Sequence, residues 1–204
     1  MQNDWAYLEK YALENQQLLK QHNNGNRIVF IGDSITEFWE RYDSVFFSQN
    51  KYINRGISSQ TTSQILERFQ NDVIDLEPKK VIILAGINDI AENNGPISTE
   101  EIMNNIISMV DKSLKNNIEV LLCAILPTTK FYWNPKIQPI EKIKQINELI
   151  ETYSLSKMIK YIDYYSQMVD ENFGLDEKFT DDGVHPNLNG YLKMKMILES
   201  YLKL

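Results

Sequence analysis

The sequence predicts an α/β protein in which helices cover both faces of a parallel β-sheet. Short apolar runs such as Ile28–Ile31 fit strands that are buried on both faces, as strands of parallel sheets are. Segments with apolar residues at helical spacing separate these runs, so strand and helix alternate along the chain. The 204 residues suffice for one sizeable core, and we expect one domain covering residues 1–204.

Residues 1–26 are predicted to form an amphipathic helix and a polar linker that pack on the rest of the domain. Apolar residues recur at helical spacing between residues 3 and 21, and Asn3 or Asp4 is suited to cap the helix. The polar run 21–26 ends it. His22 lies in this run without a nearby carboxylate, so we expect a solvated surface residue.

The remaining elements alternate in order. The predicted strands are residues 28–31, 51–55, 80–85, 119–126 and 161–164. Predicted helices begin at Ser34, cover residues 61–76, begin at the Ser98-x-x-Glu101 capping box, follow Pro139, and cover residues 189–202. For five strands the common doubly wound order is 2-1-3-4-5, that of flavodoxin-like three-layer α/β/α sandwiches. This order brings Ser34, Gly56 and Asn88 to one edge of the sheet.

Composition excludes several classes of partner. The net charge of −7 and the lack of a Lys/Arg cluster argue against nucleic acid or an anionic membrane surface, and favour a small-molecule substrate. The longest apolar runs are too short to insert stably in a bilayer. A single cysteine, Cys123, allows no internal disulfide and lies in a run typical of a buried strand. The sequence does not indicate an oligomer.

The N-terminal residues lack a basic region followed by an apolar core, so the chain as given has no signal peptide. We therefore expect a cytoplasmic protein. The alternative is an exported protein whose signal peptide is absent from this sequence.

Ser34 is the first candidate for chemistry. It follows Gly32-Asp33 at the carboxyl end of the first predicted strand, where open α/β sheets bind ligands. A helix N-terminus at this position would favour a developing anion. Serine is also a preferred N-cap residue, so this stretch alone leaves a catalytic and a capping interpretation open.

A second candidate lies near the C-terminus, in the segment Asp181-Asp182-Gly183-Val184-His185. A serine nucleophile needs a neutral imidazole to accept its proton, and the imidazole needs a carboxylate to fix its tautomer. Asp182 and His185 are close enough in sequence to contact each other. An isolated D-x-x-H is more often a solvated turn with a capping histidine.

Together these segments resemble the SGNH, or GDSL-type, hydrolase family. Four blocks occur in the family's order, namely G-D-S at 32–34, the glycine at 56, G-x-N-D at 86–89 and D-x-x-H at 182–185. The likeness is strongest to bacterial relatives of the platelet-activating-factor acetylhydrolase catalytic subunits. The resemblance implies a serine esterase that uses no cofactor or metal. It implies Ser34 as nucleophile, His185 as general base and acid, and Asp182 as its orienting partner.

The resemblance also implies an oxyanion hole formed by the N–H groups of Ser34 and Gly56 and the side-chain amide of Asn88. Glycine lets an oxyanion approach closely, and an asparagine amide is a neutral donor. The neighbouring Asp33 and Asp89 are suited to accept backbone N–H bonds and so to hold their loops.

Substrate choice is predicted less directly. Trp39, Tyr132 and Trp133 are candidates for walls of an acyl or sugar pocket, although an aromatic residue in a long loop can equally anchor that loop. Because no apolar groove or lid is evident, we expect short acyl groups, acetyl above all, with acetylated carbohydrates as one candidate. A lysophospholipase or acyl-thioesterase is the alternative enzyme.

A non-catalytic flavodoxin-like binding domain is a further alternative, for example a phosphoacceptor receiver that uses Asp33. A receiver needs a lysine after the fifth strand, where this chain has Tyr164-Tyr165-Ser166.

Overall fold

A computed structural model describes residues 4–202. Five parallel strands form one sheet in the order β2-β1-β3-β4-β5. The strands are β1 Ile28–Gly32, β2 Ile53–Gly56, β3 Lys80–Leu84, β4 Glu119–Cys123 and β5 Lys160–Ile162. Helices pack around the sheet, which confirms the predicted three-layer α/β fold and its strand order.

The helices follow the alternation that the sequence predicts. They are α1 Ala12–Lys20, α2 Ser34–Tyr42, α3 Ser44–Asn50, α4 Thr62–Asp72, α5 Ile87–Ile90, α6 Thr99–Lys115, α7 Ile140–Lys157, α8 Tyr164–Met168 and α9 Leu188–Leu202. Two short 3₁₀ turns cover Ile74–Leu76 and Glu177–Phe179. The strands carry the centre of the core, because nearly all residues of β1 to β4 are buried.

The N-terminal helix is shorter than predicted. Residues 5–11 form turns, and α1 begins only at Ala12. The Asp4 carboxylate accepts the N–H groups of Leu8 and Glu9, and Tyr7 has a left-handed φ of 55°, which interrupts helical geometry. The carbonyls of Trp5 and Ala6 accept side-chain amides from elsewhere in the fold instead of helical N–H groups. Asn3, the other predicted cap, lies outside the described residues.

Three short helices, α3, α5 and α8, were absent from the prediction. Helices α3 and α8 begin where an aspartate, Asp43 or Asp163, accepts a backbone N–H three residues later. The predicted helix 61–76 ends at Asp72, and the 3₁₀ turn replaces its last part. The predicted capping box of α6 is confirmed, since Ser98 and Glu101 each accept the other's backbone N–H. Such short helices carry too little periodicity to be recognised in sequence.

Within residues 4–202, no helix combines the length and the apolar character that crossing a bilayer requires. His22 is exposed and Cys123 is buried, as expected.

Candidate active site

The carboxyl ends of the central strands bring the candidate residues together. Gly32 of β1 pairs with Gly56 of β2 on one side and with Leu84 of β3 on the other. Ser34 therefore follows the central strand of the three, and Asn88 follows the strand beside it. Their neighbourhood results from the strand order, because the two residues are 54 positions apart in sequence.

Ser34 is the first residue of α2. Its neighbour Asp33 is the N-cap and accepts the Ile35 N–H at 3.0 Å. As the first helical residue, Ser34 has a backbone N–H that no carbonyl of its own helix can accept. Its Oγ lies 3.0 Å from Nε2 of His185, 151 residues away in sequence. The sequence left a capping and a catalytic interpretation open, and Asp33 takes the capping position.

His185 lies on the loop before α9, in contact with Asp182. Nδ1 of His185 is 2.7 Å from Oδ2 of Asp182. The other carboxylate oxygen accepts the backbone N–H groups of Val184 at 2.8 Å and of His185 at 2.7 Å. Thr180 closes the loop by donating its hydroxyl to the His185 carbonyl at 2.7 Å. The loop thus holds both the carboxylate and the ring in one arrangement.

These contacts define the protonation of the Asp182–His185 pair. Partial burial tends to raise the pKa of Asp182, but hydrogen bonds from the His185 ring and from the two backbone N–H groups outweigh it and hold that pKa below its usual value. An ionised carboxylate only accepts, so Nδ1 of a neutral His185 carries the proton. Nε2 then presents its lone pair to the Ser34 hydroxyl, as a general base must.

Asn88 lies in α5 and is 4% exposed. Its Nδ2 donates to the Gln60 carbonyl at 3.1 Å, and its Oδ1 accepts from Nδ2 of Asn93 at 2.8 Å. Asn88, Ser34 and His185 line the same cleft. One N–H of the Asn88 amide is engaged by Gln60, and the amide has a second N–H for another acceptor.

Gly56 does not have the place that the sequence predicted. Its N–H donates to Oδ1 of Asn54 at 2.8 Å, and it is not among the residues that line the cleft. A Cβ at this position would lie 2.1 Å from the backbone nitrogen of Glu37. Glycine is therefore required here by the close approach of α2. The assignment of the Gly56 N–H to an oxyanion hole is corrected accordingly.

Ser59, three residues further on, lies at the cleft although the sequence did not predict it as a site residue. It is exposed, lines the cleft and has a left-handed φ of 66°. Its backbone N–H has no acceptor within residues 4–202. Left-handed geometry is normally a glycine position, and a serine there gives no signal in the sequence.

The three predicted pocket aromatics lie in different places. Trp39 is 2% exposed and packs against Phe46 and Tyr191 in the core, so its interpretation as a pocket wall is wrong. It lies five positions after Ser34, on a face of α2 that is turned into the core. Trp133 lines the cleft, whereas Tyr132 is 60% exposed and lies outside it.

The cleft has a volume of about 530 Å³. Apart from the residues already described, it is lined by Tyr7, Phe38, Ser58, Gln60, Gln64 and Asn94. Phe38 lies one helical turn after Ser34, and its ring centroid is 5.5 Å from that of His185. The described lining is made of amides, hydroxyls and aromatic rings, and His185 is its one ionisable group that can become positively charged.

Asp33 and Asp89 accept backbone N–H groups beside the candidate site, as expected. Asp89 accepts the N–H of Thr62 at 2.8 Å and its hydroxyl at 2.6 Å, and so ties the start of α4 to α5. Burial raises the pKa of Asp89 to about 6, against the hydrogen bonds from Thr62. Burial also raises the pKa of Asp33 to about 7, against its bond from Ile35 and with the charge of Asp89 adding to the rise.

No group of three or more His, Cys, Asp or Glu side chains within residues 4–202 is arranged to hold a metal ion.

A solved structure and a curated relative are similar to this chain over most of its length. A GDSL-like lipase from Bacteroides thetaiotaomicron superposes with a TM-score of 0.93 at 41% identity, covering 97% of this chain and 98% of that one. The human platelet-activating factor acetylhydrolase IB subunit alpha2 is 23% identical over 82% of this chain and 72% of its own length.

Two further relatives match over part of their length. An acetylxylan esterase of Xylanibacter ruminicola is 25% identical over 65% of this chain, and a Bacillus subtilis lipoprotein, YqeF, is 35% identical over 37% of it. The matches span only 30% and 32% of those two proteins. The model of the GDSL-like lipase/acylhydrolase family matches residues 30–193. The match includes Ser34, Asn88, Asp182 and His185, and the chain belongs to this family of hydrolases that act on ester bonds.

Proposed function

We propose that this protein is a serine esterase that removes short acyl groups, acetyl above all, from O-acetylated carbohydrates. The observation that carries the proposal is the continuous contact from Ser34 through His185 to Asp182 at the cleft. In this proposal Ser34 is the nucleophile, His185 the general base and acid, and Asp182 the residue that orients the ring.

The reaction takes two steps. Nε2 of His185 accepts the hydroxyl proton while Oγ of Ser34 bonds to the ester carbonyl carbon. When the bond to the leaving alcohol breaks, His185 returns that proton to the alcohol oxygen, and an acyl-serine remains. Water then attacks the acyl carbon with His185 again as base. Ser34 leaves as the alcohol and the carboxylic acid is released.

Three donors are suited to stabilise the oxyanion. They are the N–H of Ser34 at the start of α2, the second N–H of the Asn88 amide, and the N–H of Ser59 in the place first assigned to Gly56. Each such donor is worth about 3 to 4 kcal/mol in the transition state of enzymes of this kind. The position of Ser59 on the cleft and its free N–H within the described chain support the assignment.

A pair of substitutions at Ser59 tests its backbone role. Ser59→Gly keeps the N–H and suits the left-handed φ, so we expect full activity and equal or higher thermal stability. Ser59→Pro removes the N–H and forces φ to about −65°, so we expect kcat to fall by at least about 100-fold. The measurement is kcat on an acetate ester with the melting temperature of each variant. An active and folded Ser59→Pro protein would exclude this donor.

The chemistry of the cleft supports a neutral, hydroxyl-rich leaving group. Internal hydrogen bonds already engage the Asn94 amide nitrogen and the Gln64 amide oxygen. The Asn94 amide oxygen and the second amide N–H of Gln64 can still exchange hydrogen bonds with sugar hydroxyls, and the rings of Tyr7 and Trp133 offer flat apolar faces. Among the described lining residues none is a lysine, arginine or carboxylate that would pair with a charged lipid headgroup. The relationship to an acetylxylan esterase agrees with this choice. The lysophospholipase and thioesterase alternatives need an extended apolar surface, and the described lining supplies little.

A chain-length series tests the acyl preference. We expect kcat/KM to be highest for acetate and to collapse after two to four carbons, because a pocket that accepted each methylene would instead gain about 0.8 kcal/mol per carbon. A steady rise toward decanoate would contradict the short-acyl proposal and favour the lysophospholipase. Trp133→Ala is expected to relax the preference toward longer chains. Tyr132→Ala is its control, since Tyr132 lies outside the cleft on the same loop.

Cellular location remains a prediction. We propose a cytoplasmic location, with export as the alternative that the lipoprotein relative supports. Fractionation of cells that express the native gene, followed by detection of this protein, distinguishes the two.

A further inference from the structure

A chain of side-chain hydrogen bonds runs from the rim of the cleft to the candidate oxyanion donor. Nε1 of Trp133 donates to Oδ1 of Asn93 at 2.8 Å. Nδ2 of Asn93 donates to Oδ1 of Asn88 at 2.8 Å, and Nδ2 of Asn88 donates to the Gln60 carbonyl at 3.1 Å. Every bond in this chain points in the same direction.

The direction of the chain is imposed at its two ends. An indole nitrogen can only donate, so the oxygen of the Asn93 amide must face Trp133. The amide nitrogen of Asn93 then faces Asn88, and Asn88 must receive it with its oxygen. At the other end the Gln60 carbonyl can only accept, so it requires the nitrogen of Asn88. The orientation of the Asn88 amide is therefore determined from both sides.

We propose that Asn93 is a positioning residue that holds the amide of Asn88 with its free N–H toward the oxyanion. This inference rests on the proposed function, in which Asn88 stabilises the tetrahedral intermediate. A donor contributes fully only when it is already oriented before charge develops. Bonds aligned in series also polarise one another, which strengthens the terminal donor. In this proposal the indole N–H of Trp133 affects stabilisation of the oxyanion, in addition to the contact of its ring with the substrate.

Support of the loop is a separate task, performed by other residues. Phe131 is fully buried, and Nδ2 of Asn134 donates to the Ala91 carbonyl at 3.0 Å. The burial of Phe131 and the hydrogen bond of Asn134 attach the loop that carries Trp133 to the body of the protein, and neither involves the Asn88 side chain. Asn134 is therefore a matched control, because its loss removes the hydrogen bond to the Ala91 carbonyl and leaves the hydrogen-bond chain to Asn88 intact.

The decisive variant is Asn93→Asp. Aspartate has nearly the shape of asparagine and can still accept from Trp133, but it places an oxygen against Oδ1 of Asn88. We expect Asn93→Asp to lower kcat at least as much as Asn93→Ala, by about tenfold or more, with KM little changed. Trp133→Phe, which keeps a ring and removes the indole N–H, should lower kcat in the same sense. Asn134→Ala should retain kcat.

A double-mutant cycle connects the effect to Asn88. If Asn93 acts through Asn88, its substitution has no further effect on kcat in an Asn88→Ala background. Additive losses would overturn the proposal, as would equal losses of kcat in Asn134→Ala. Full activity of Asn93→Asp would overturn it too. Ser34→Ala distinguishes failure of this proposal from failure of the proposed function. If Ser34→Ala is inactive and Asn93→Asp is fully active, the positioning role of Asn93 is wrong and the esterase proposal stands.

Discussion

Substitution of Ser34 by alanine is expected to abolish ester hydrolysis, with kcat falling by roughly 10⁵-fold or more. The fold should be unaffected, because within residues 4–202 the Ser34 hydroxyl has one hydrogen bond, to His185, and the substitution removes a single oxygen atom. Steady-state kinetics on an acetate ester and the melting temperature of the purified variant measure the two effects.

The matched control for this loss is Ser48→Ala on the exposed surface of α3, where the hydroxyl donates to the Val45 carbonyl of the same helix. It should retain the activity of the unmodified protein. A serine-directed phosphonate should label the unmodified protein and Ser48→Ala once, and Ser34→Ala not at all. Substantial turnover by pure Ser34→Ala would contradict the proposed role of Ser34 as nucleophile.

Asp182→Asn should have the next largest effect, a loss of about 10⁴-fold in kcat at neutral pH. The asparagine oxygen can still accept the N–H groups of Val184 and His185, so the loop is expected to keep its shape. Its amide nitrogen, however, would face Nδ1 of the ring and donate to it. His185 would then carry its proton on Nε2, where no base remains for Ser34.

Asp181→Asn is the matched control, because Asp181 contacts the Asn187 amide at 3.3 Å and not the His185 ring. It should retain kcat. If both variants lost activity equally, the distinction between the two aspartates would fail, and so would the role of Asp182.

The same carboxylate gives a pH dependence of stability. The pKa of Asp182 is lowered in the folded protein, because the bonds from His185 and Val184 outweigh partial burial. A lowered pKa means that this stabilisation is complete above the unfolded value of about 3.9 and is lost as the pH falls through the folded value. Melting temperatures from pH 7 downward should therefore show the difference between unmodified protein and Asp182→Asn shrinking below about pH 4. A difference that stays constant would contradict it.

The fold was predictable because its signals are local. Buried parallel strands need continuous apolar runs and their crossover helices need apolar faces, so the alternation is visible along the chain. The strand order follows a common arrangement of five such units, and the structure confirms it. The secondary-structure prediction was wrong for segments whose backbone is held by partners distant in sequence. The turn at residues 5–11 is one, since its carbonyls bond the side chains of Gln60 and Gln64.

Residue type and spacing along the chain were enough to identify the residues that could perform acyl transfer. Only two histidines are present, and His185 alone has a carboxylate at a spacing that allows direct contact. Ser34 follows an apolar strand at a sharp turn. These are statements about chemical type and short separation, and the structure does place Ser34, His185 and Asp182 within hydrogen-bonding distance.

The groups that surround these three residues became apparent in the folded protein. The tertiary structure turned Trp39 into the core and Trp133 toward the cleft, and it engaged the Gly56 N–H with Asn54 while leaving that of Ser59 free within the described chain. It also joined Asn93 to Asn88 and Trp133. Residue type and periodicity do not encode these features, because the direction of a side chain and the availability of a donor depend on packing between elements far apart in sequence.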